Sequence, residues 1–142
     1  MKTVITFTTE ELRQLFEAHV RFGRGMEREG ITQDRHWHLN LTTRLKDGLN
    51  FSCNYEPGAG RGSARMGFME LDIRHMALVL GYFLTAFYNK VPEQEREQHE
   101  LWPHIRTLEQ VFHKIADGKR STDQKKADRR EWWGLPRRSN AS

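Results

Sequence analysis

Seven histidines come first, because imidazole both ligates metal ions and moves protons near neutral pH. His36-x-His38 would put two imidazoles on one face of a strand, with Glu56 opposite His38 as a third donor. The lone thiol, Cys53, falls on the other, apolar face of the same strand pair, and no other stretch has zinc-ligand spacing. The pair therefore reads as solvent-facing, with no metal or cofactor assigned. His99-Glu100-x-x-x-His104 has one residue more than the zincin pattern HExxH, so on a helix its two rings sit about 140° apart. Pro103 interrupts it as well. His19, on an apolar stripe, reads as a histidine at the edge of the core.

A second constellation is Gly58-Ala59-Gly60-Arg61-Gly62. Successive backbone N–H groups in such a loop can cradle a phosphate, and Arg61 and Arg65 would add bidentate donors. The segment lacks the Lys-Ser/Thr of a P-loop, and an extended run follows it where those motifs need a helix N-terminus. Short hydrogen-bonding groups at His36, His38, Asn40 and Arg44 would share one polar face nearby. Together they define an alternative function: a binder of, or enzyme on, a small phosphorylated ligand such as a nucleotide.

The most specific feature is the C-terminal segment. Residues 118 to 142 carry eight bases against three acids, whereas the first 117 residues hold 15 bases and 16 acids. The whole positive surplus sits in that segment. Lys125-Lys126, Arg129-Arg130 and Arg137-Arg138 are paired bases, and Trp132-Trp133 lies among them. Arginine with tryptophan is the composition of interface hot spots and of single-strand stacking platforms.

The elements that must position these groups follow from periodicity. Val4 to Phe7 read as a strand, and Thr8 with Glu11 forms the S/T-x-x-E signature of a helix start. Leu12, Leu15, Phe16, His19 and Val20 make one helical stripe, which Gly23 and Gly25 are expected to end. Residues 35 to 45 and 49 to 55 alternate apolar and polar, and Lys46-Asp47-Gly48 between them predicts a β-hairpin. Met66 to Leu71 would supply a further strand. Asp72 then caps a helix over Ile73 to Lys90 that is apolar nearly all round, hence buried on several sides. Ile105, Leu108, Phe112 and Ile115 mark a last helix, expected to close at Gly118.

The expected fold is thus α+β, a small antiparallel sheet packed on one face by two or three C-terminal helices. The expected division is a core domain over 1–117 and a basic arm over 118–142. With 142 residues, a second domain is not expected, and 15 aromatics are too many for a disordered chain. One cysteine forms no internal disulfide and points to a reducing compartment. MKTVITFTTEEL has no signal-peptide core, and the longest apolar run, Met76 to Tyr88, falls short of the roughly 20 residues of a bilayer span. These features predict a cytoplasmic protein without membrane association.

No catalytic arrangement emerges. The leading expectation is a non-enzymatic protein that binds nucleic acid or a nucleoprotein complex, in the style of a phage or mobile-element accessory protein inhibiting a host machine. The expected partner contacts are Lys125, Lys126, Arg129, Arg130, Trp132, Trp133, Arg137 and Arg138. A third reading is self-association through the very apolar central helix.

Overall fold

The computed structural model describes residues 2–54 and 62–132, with side chains described as far as Gly118. The fold is α+β. Strand β1 (Thr3–Thr8) leads into helix α1 (Thr9–Arg28), then α2 (Arg35–Cys53), strand β2 (Ser63–Phe68), α3 (Glu70–Lys90), a 3-10 turn (Glu93–Glu95) and α4 (Trp102–Trp132). The sheet has two antiparallel strands, with Thr3 opposite Phe68, Ile5 opposite Met66 and Phe7 opposite Ala64. That register puts Thr3, Ile5, Phe7, Ala64 and Phe68 on one buried face. The core beneath it combines Leu12 and Leu15 of α1, Leu41 and Leu45 of α2, Met76, Val79 and Leu80 of α3, and Leu108, Val111 and Ile115 of α4.

Helix α1 starts as its sequence signature requires. The Glu11 amide donates to Thr8 Oγ1 at 3.1 Å, and the Thr8 amide donates to Glu11 Oε1 at 2.8 Å. The Glu11 carboxylate is buried and is met by Lys114 Nζ of α4 at 2.6 Å, so the cap also ties the first helix to the last. At the far end of α3, the Arg96 guanidinium donates to the Tyr88 and Val91 carbonyls, covering the helix C-terminus.

Four expectations need correction. The predicted hairpin over 35–55 is helix α2. Its buried positions are His38, Leu41, Leu45, Gly48 and Ser52, a helical 3-4-3-4 spacing in which three members are polar or small. Leu39 and Phe51, which completed the period-two pattern, are instead 49% and 58% exposed. Gly48 makes no turn: it lies inside α2, and a Cβ there would collide with the Met66 sulfur of β2. His36, His38, Asn40 and Arg44 therefore belong to a helix and share no sheet face.

The second correction concerns the strand expected at 66–71. It lies at Ser63–Phe68 and pairs directly with β1, so α3 already begins at Glu70 with Met69 as its N-cap, and Asp72 is not the cap but the N3 residue whose carboxylate accepts from the Met69 amide. Third, Gly23 and Gly25 do not stop α1, which runs on to Arg28. Fourth, α4 does not close at Gly118. It continues to Trp132, and Gly118 is where it crosses β1, since a Cβ there would come within 3.1 Å of the Thr3 and Ile5 side chains.

Candidate functional site

Each of the first three helices contributes one histidine to a common interior point: His19 from α1, His38 from α2 and His75 from α3. The three rings are 0%, 1% and 8% exposed. One ring nitrogen from each can be chosen so that all three lie within 4.8 Å of one another. His19 and His38 stack at 5.3 Å with 15° between planes, and His75 meets His38 edge-on at 4.9 Å.

The protein's own backbone sets the proton positions. His38 Nε2 lies 2.8 Å from the His19 carbonyl oxygen, which can only accept, so Nε2 carries the proton. In the neutral ring His38 Nδ1 is then a bare lone pair, and His75 Nε2, 2.6 Å away, donates to it. The ring reaches this carbonyl because Gly23, one turn on, has no side chain. A Cβ at Gly23 would stand 3.1 Å from His38 Nε2.

His19 differs. Neither of its ring nitrogens has a hydrogen-bond partner among the described residues, although both are buried. Leaving a buried polar atom unpaired costs about 1–3 kcal/mol. Burial, reinforced by His38 and His75, pushes its pKa down to about 3 from an ordinary 6.5. Burial likewise lowers His38, against the opposing hydrogen bond to the His19 backbone. It lowers His75 too, with His38 adding to the effect and Asp34 and Asp72 opposing it. Burial thus favours the neutral form of all three rings.

The surroundings hold it rigidly. Asp72 Oδ2 accepts from the Met69 amide at 3.0 Å, fixing the first turn of α3, and from Arg44 Nη1 at 3.0 Å. Asp72 Oδ1 accepts from Trp37 Nε1 at 3.1 Å, which seats the indole 5.1 Å from the His75 ring. Burial alone would raise the Asp72 pKa. The Met69 amide, Arg44 and Trp37 outweigh it and hold the carboxyl below the usual range. Phe22 closes another side, 5.6 Å from His38 and 6.0 Å from His75.

This arrangement offers three imidazoles in a buried enclosure and little approach for a substrate. Its chemistry is ligation or internal hydrogen bonding.

The residues singled out from the sequence are dispersed. His36 and Asn40 are exposed on α2, whereas His38 faces α1 and α3. Arg44 is committed to Asp72, to the Gly67 carbonyl at 2.7 Å and to the Phe68 ring at 5.6 Å. Arg65 is an exposed position of β2 opposite Thr6. His38 and Arg65 are thus not brought to one site, and Arg61 and Glu56 lie outside the described residues. Lys125, Lys126, Arg129, Arg130 and Trp132 lie on the backbone of α4, with side chains outside the described part. Trp133, Arg137 and Arg138 lie outside the described residues altogether.

A separate groove of about 1120 Å³ runs between the C-terminal half of α1 and α3, lined by Phe22, Met26, Ile31, Leu78 and Tyr82, with Arg24 among its charged residues. Among the described residues no helix is long and apolar enough to cross a membrane. Comparison with protein-family models, curated proteins and solved structures finds no match to this chain.

Proposed function

We propose that the protein is a non-enzymatic nucleic-acid-associated binding protein, with the basic end of α4 as its contact surface. The observation that carries this reading is the continuity of α4, which runs without a break from Trp102 to Trp132. At 100° per residue, positions 119, 125, 126, 129 and 130 share one arc of about 140°, and the acidic positions 123, 128 and 131 fall outside it. Position 132, a tryptophan, borders the arc on one edge, position 123, an aspartate, borders it equally closely on the other, and position 120, an arginine, lies outside it. A helix with bases on one side and an aromatic at its edge combines phosphate neutralisation with base stacking. Pre-forming the helix also reduces the ordering entropy of binding. A nucleoprotein complex of a host cell, inhibited by a phage or mobile-element accessory protein, is the setting we propose for it.

Fluorescence anisotropy of the full chain with short labelled single-stranded and duplex oligonucleotides tests this. The wild type should bind at low salt. Replacing Lys125, Lys126, Arg129 and Arg130 together by Gln keeps the helix propensity and should weaken binding at least tenfold. No binding by the wild type at low salt overturns the proposal.

A second reading is self-association through α3, which is not buried all round as its composition predicts: Leu71, Leu78 and Tyr82 are 62%, 60% and 61% exposed. Sedimentation at several concentrations, with Leu78→Glu as the disrupting variant, separates it from a monomeric binder.

A further inference from the structure

We propose that His19, His38 and His75 form a binding site for a single late first-row divalent metal cation, zinc being the representative ion, which pins α1, α2 and α3 together. The first support is geometric. Three imidazoles from three helices converge so that their donor atoms lie within 4.8 Å of one another. Zinc–nitrogen bonds of about 2.0–2.1 Å at tetrahedral angles need donors roughly 3.4 Å apart. The observed separations bracket that value, with His38 Nδ1 and His75 Nε2 at 2.6 Å and no pair beyond 4.8 Å.

The second support is independent of the first. His19 is fully buried with both ring nitrogens unpartnered among the described residues. A leucine or phenylalanine would fill that position without stranding two polar atoms, so the imidazole calls for a partner. A cation at the convergence point supplies it for the lone-pair nitrogen.

One of the three rings already has the outer partner that a ligating imidazole needs. A metal-bound histidine ordinarily donates its other N–H to a carbonyl or carboxylate, which fixes the ring and leaves the ligating nitrogen bare. His38 meets that condition through the His19 carbonyl. When a cation enters, the proton on His75 Nε2 moves to Nδ1 of the same ring, so the three imidazoles remain neutral and no proton is lost. Three neutral ligands leave the positive charge uncompensated by the ligands, and the carboxylates that favour positive charge at His75 are Asp34 and the Arg44-paired Asp72. The donor set is all nitrogen. That favours zinc, copper or nickel over calcium or magnesium, which take oxygen ligands.

The test uses the full chain, tag removed and dialysed against EDTA, titrated with Zn²⁺ by calorimetry and with Co²⁺ by visible absorption. One cation per chain should bind, with cobalt bands of a low-coordinate site, and the melting temperature should rise with Zn²⁺ and fall back with EDTA. His19→Leu should bind at least tenfold more weakly, while His36→Asn and His99→Asn bind as the wild type does. Unchanged affinity in His19→Leu places the metal elsewhere and overturns the assignment, as does no Zn²⁺ binding by the wild type. Should His19→Leu fail to fold, zinc-edge X-ray absorption on the wild type decides: three imidazole ligands support the site, and fewer than three overturn it.

Discussion

His38 hydrogen-bonds the main chain of α1 at His19, 2.8 Å from Nε2 to the carbonyl oxygen, across a gap that exists because residue 23 is glycine. Gly25, two residues on, has nothing within 4 Å of where its Cβ would be. Both lie inside α1, where alanine is favoured over glycine by about 1 kcal/mol. Gly25→Ala should therefore raise stability by about 0.5–1 kcal/mol. Gly23→Ala should fall below Gly25→Ala, because the new methyl would stand 3.1 Å from His38 Nε2 and the buried, hydrogen-bonded ring would have to give by a few tenths of an ångström. Urea denaturation of the two variants reads the difference directly.

Lowering the pH should destabilise the metal-free protein well before its carboxylates titrate. The folded pKa values of His19, His38 and His75 all lie below the ordinary 6.5, so the unfolded chain binds more protons and stability falls as pH falls. For His19 the window runs from 6.5 down to about 3. His19, kept neutral in the fold, contributes a slope of up to about 1.4 kcal/mol per pH unit there. Asp72, also depressed, contributes stability that is lost only below the ordinary carboxylate range. Thermal melts between pH 7 and 4.5 should show a steadily falling melting temperature, and a flat profile would contradict neutral burial.

Lys114 holds the buried Glu11 carboxylate and also donates to the Thr6 carbonyl at 3.1 Å. Lys114→Met should cost about 1–3 kcal/mol, because it leaves Glu11 with the Thr8 amide alone. Adding Glu11→Gln should recover part of the loss, since the uncompensated charge is then gone. A double-mutant cycle in urea measures the coupling.

How much of this was legible in the sequence depends on which residues line the buried stripe. The Thr8–Glu11 cap and the Leu12, Leu15, His19 stripe were readable because apolar side chains mark that face. Helix α2 was not, because its inner face is His38, Leu41, Leu45, Gly48 and Ser52 while Leu39 and Phe51 point outward. Period-two alternation then won over the helical period. The site was hidden by the same error. With 35–53 read as a strand, His38 went to a polar face with His36, and only the helical assignment shows one histidine on the buried stripe of each of three successive helices. Gly48 and Gly118 misled in the same way: both serve close packing between elements, a long-range fact that local turn chemistry does not encode.

If the basic end of α4 meets phosphates, log K should fall linearly with log salt, by about 0.9 per phosphate neutralised on duplex and 0.7 on single strands. With eight bases and three acids in residues 118–142, about four to six contacts are expected, giving a slope near −3 to −5. Trp132→Ala with Trp133→Ala should cost more than about 2 kcal/mol of binding without changing the slope. Anisotropy titrations at several salt concentrations check both.

Nitrogen-15 shifts of the imidazole rings, recorded through long-range proton couplings on the metal-free chain at pH 5, test the buried cluster most directly. His38 should show the Nε2–H tautomer with Nδ1 unprotonated, and His19 should remain neutral. A His38 ring protonated at Nδ1, or a His19 that titrates near 6.5, would contradict the cluster and remove the geometry on which the metal site rests.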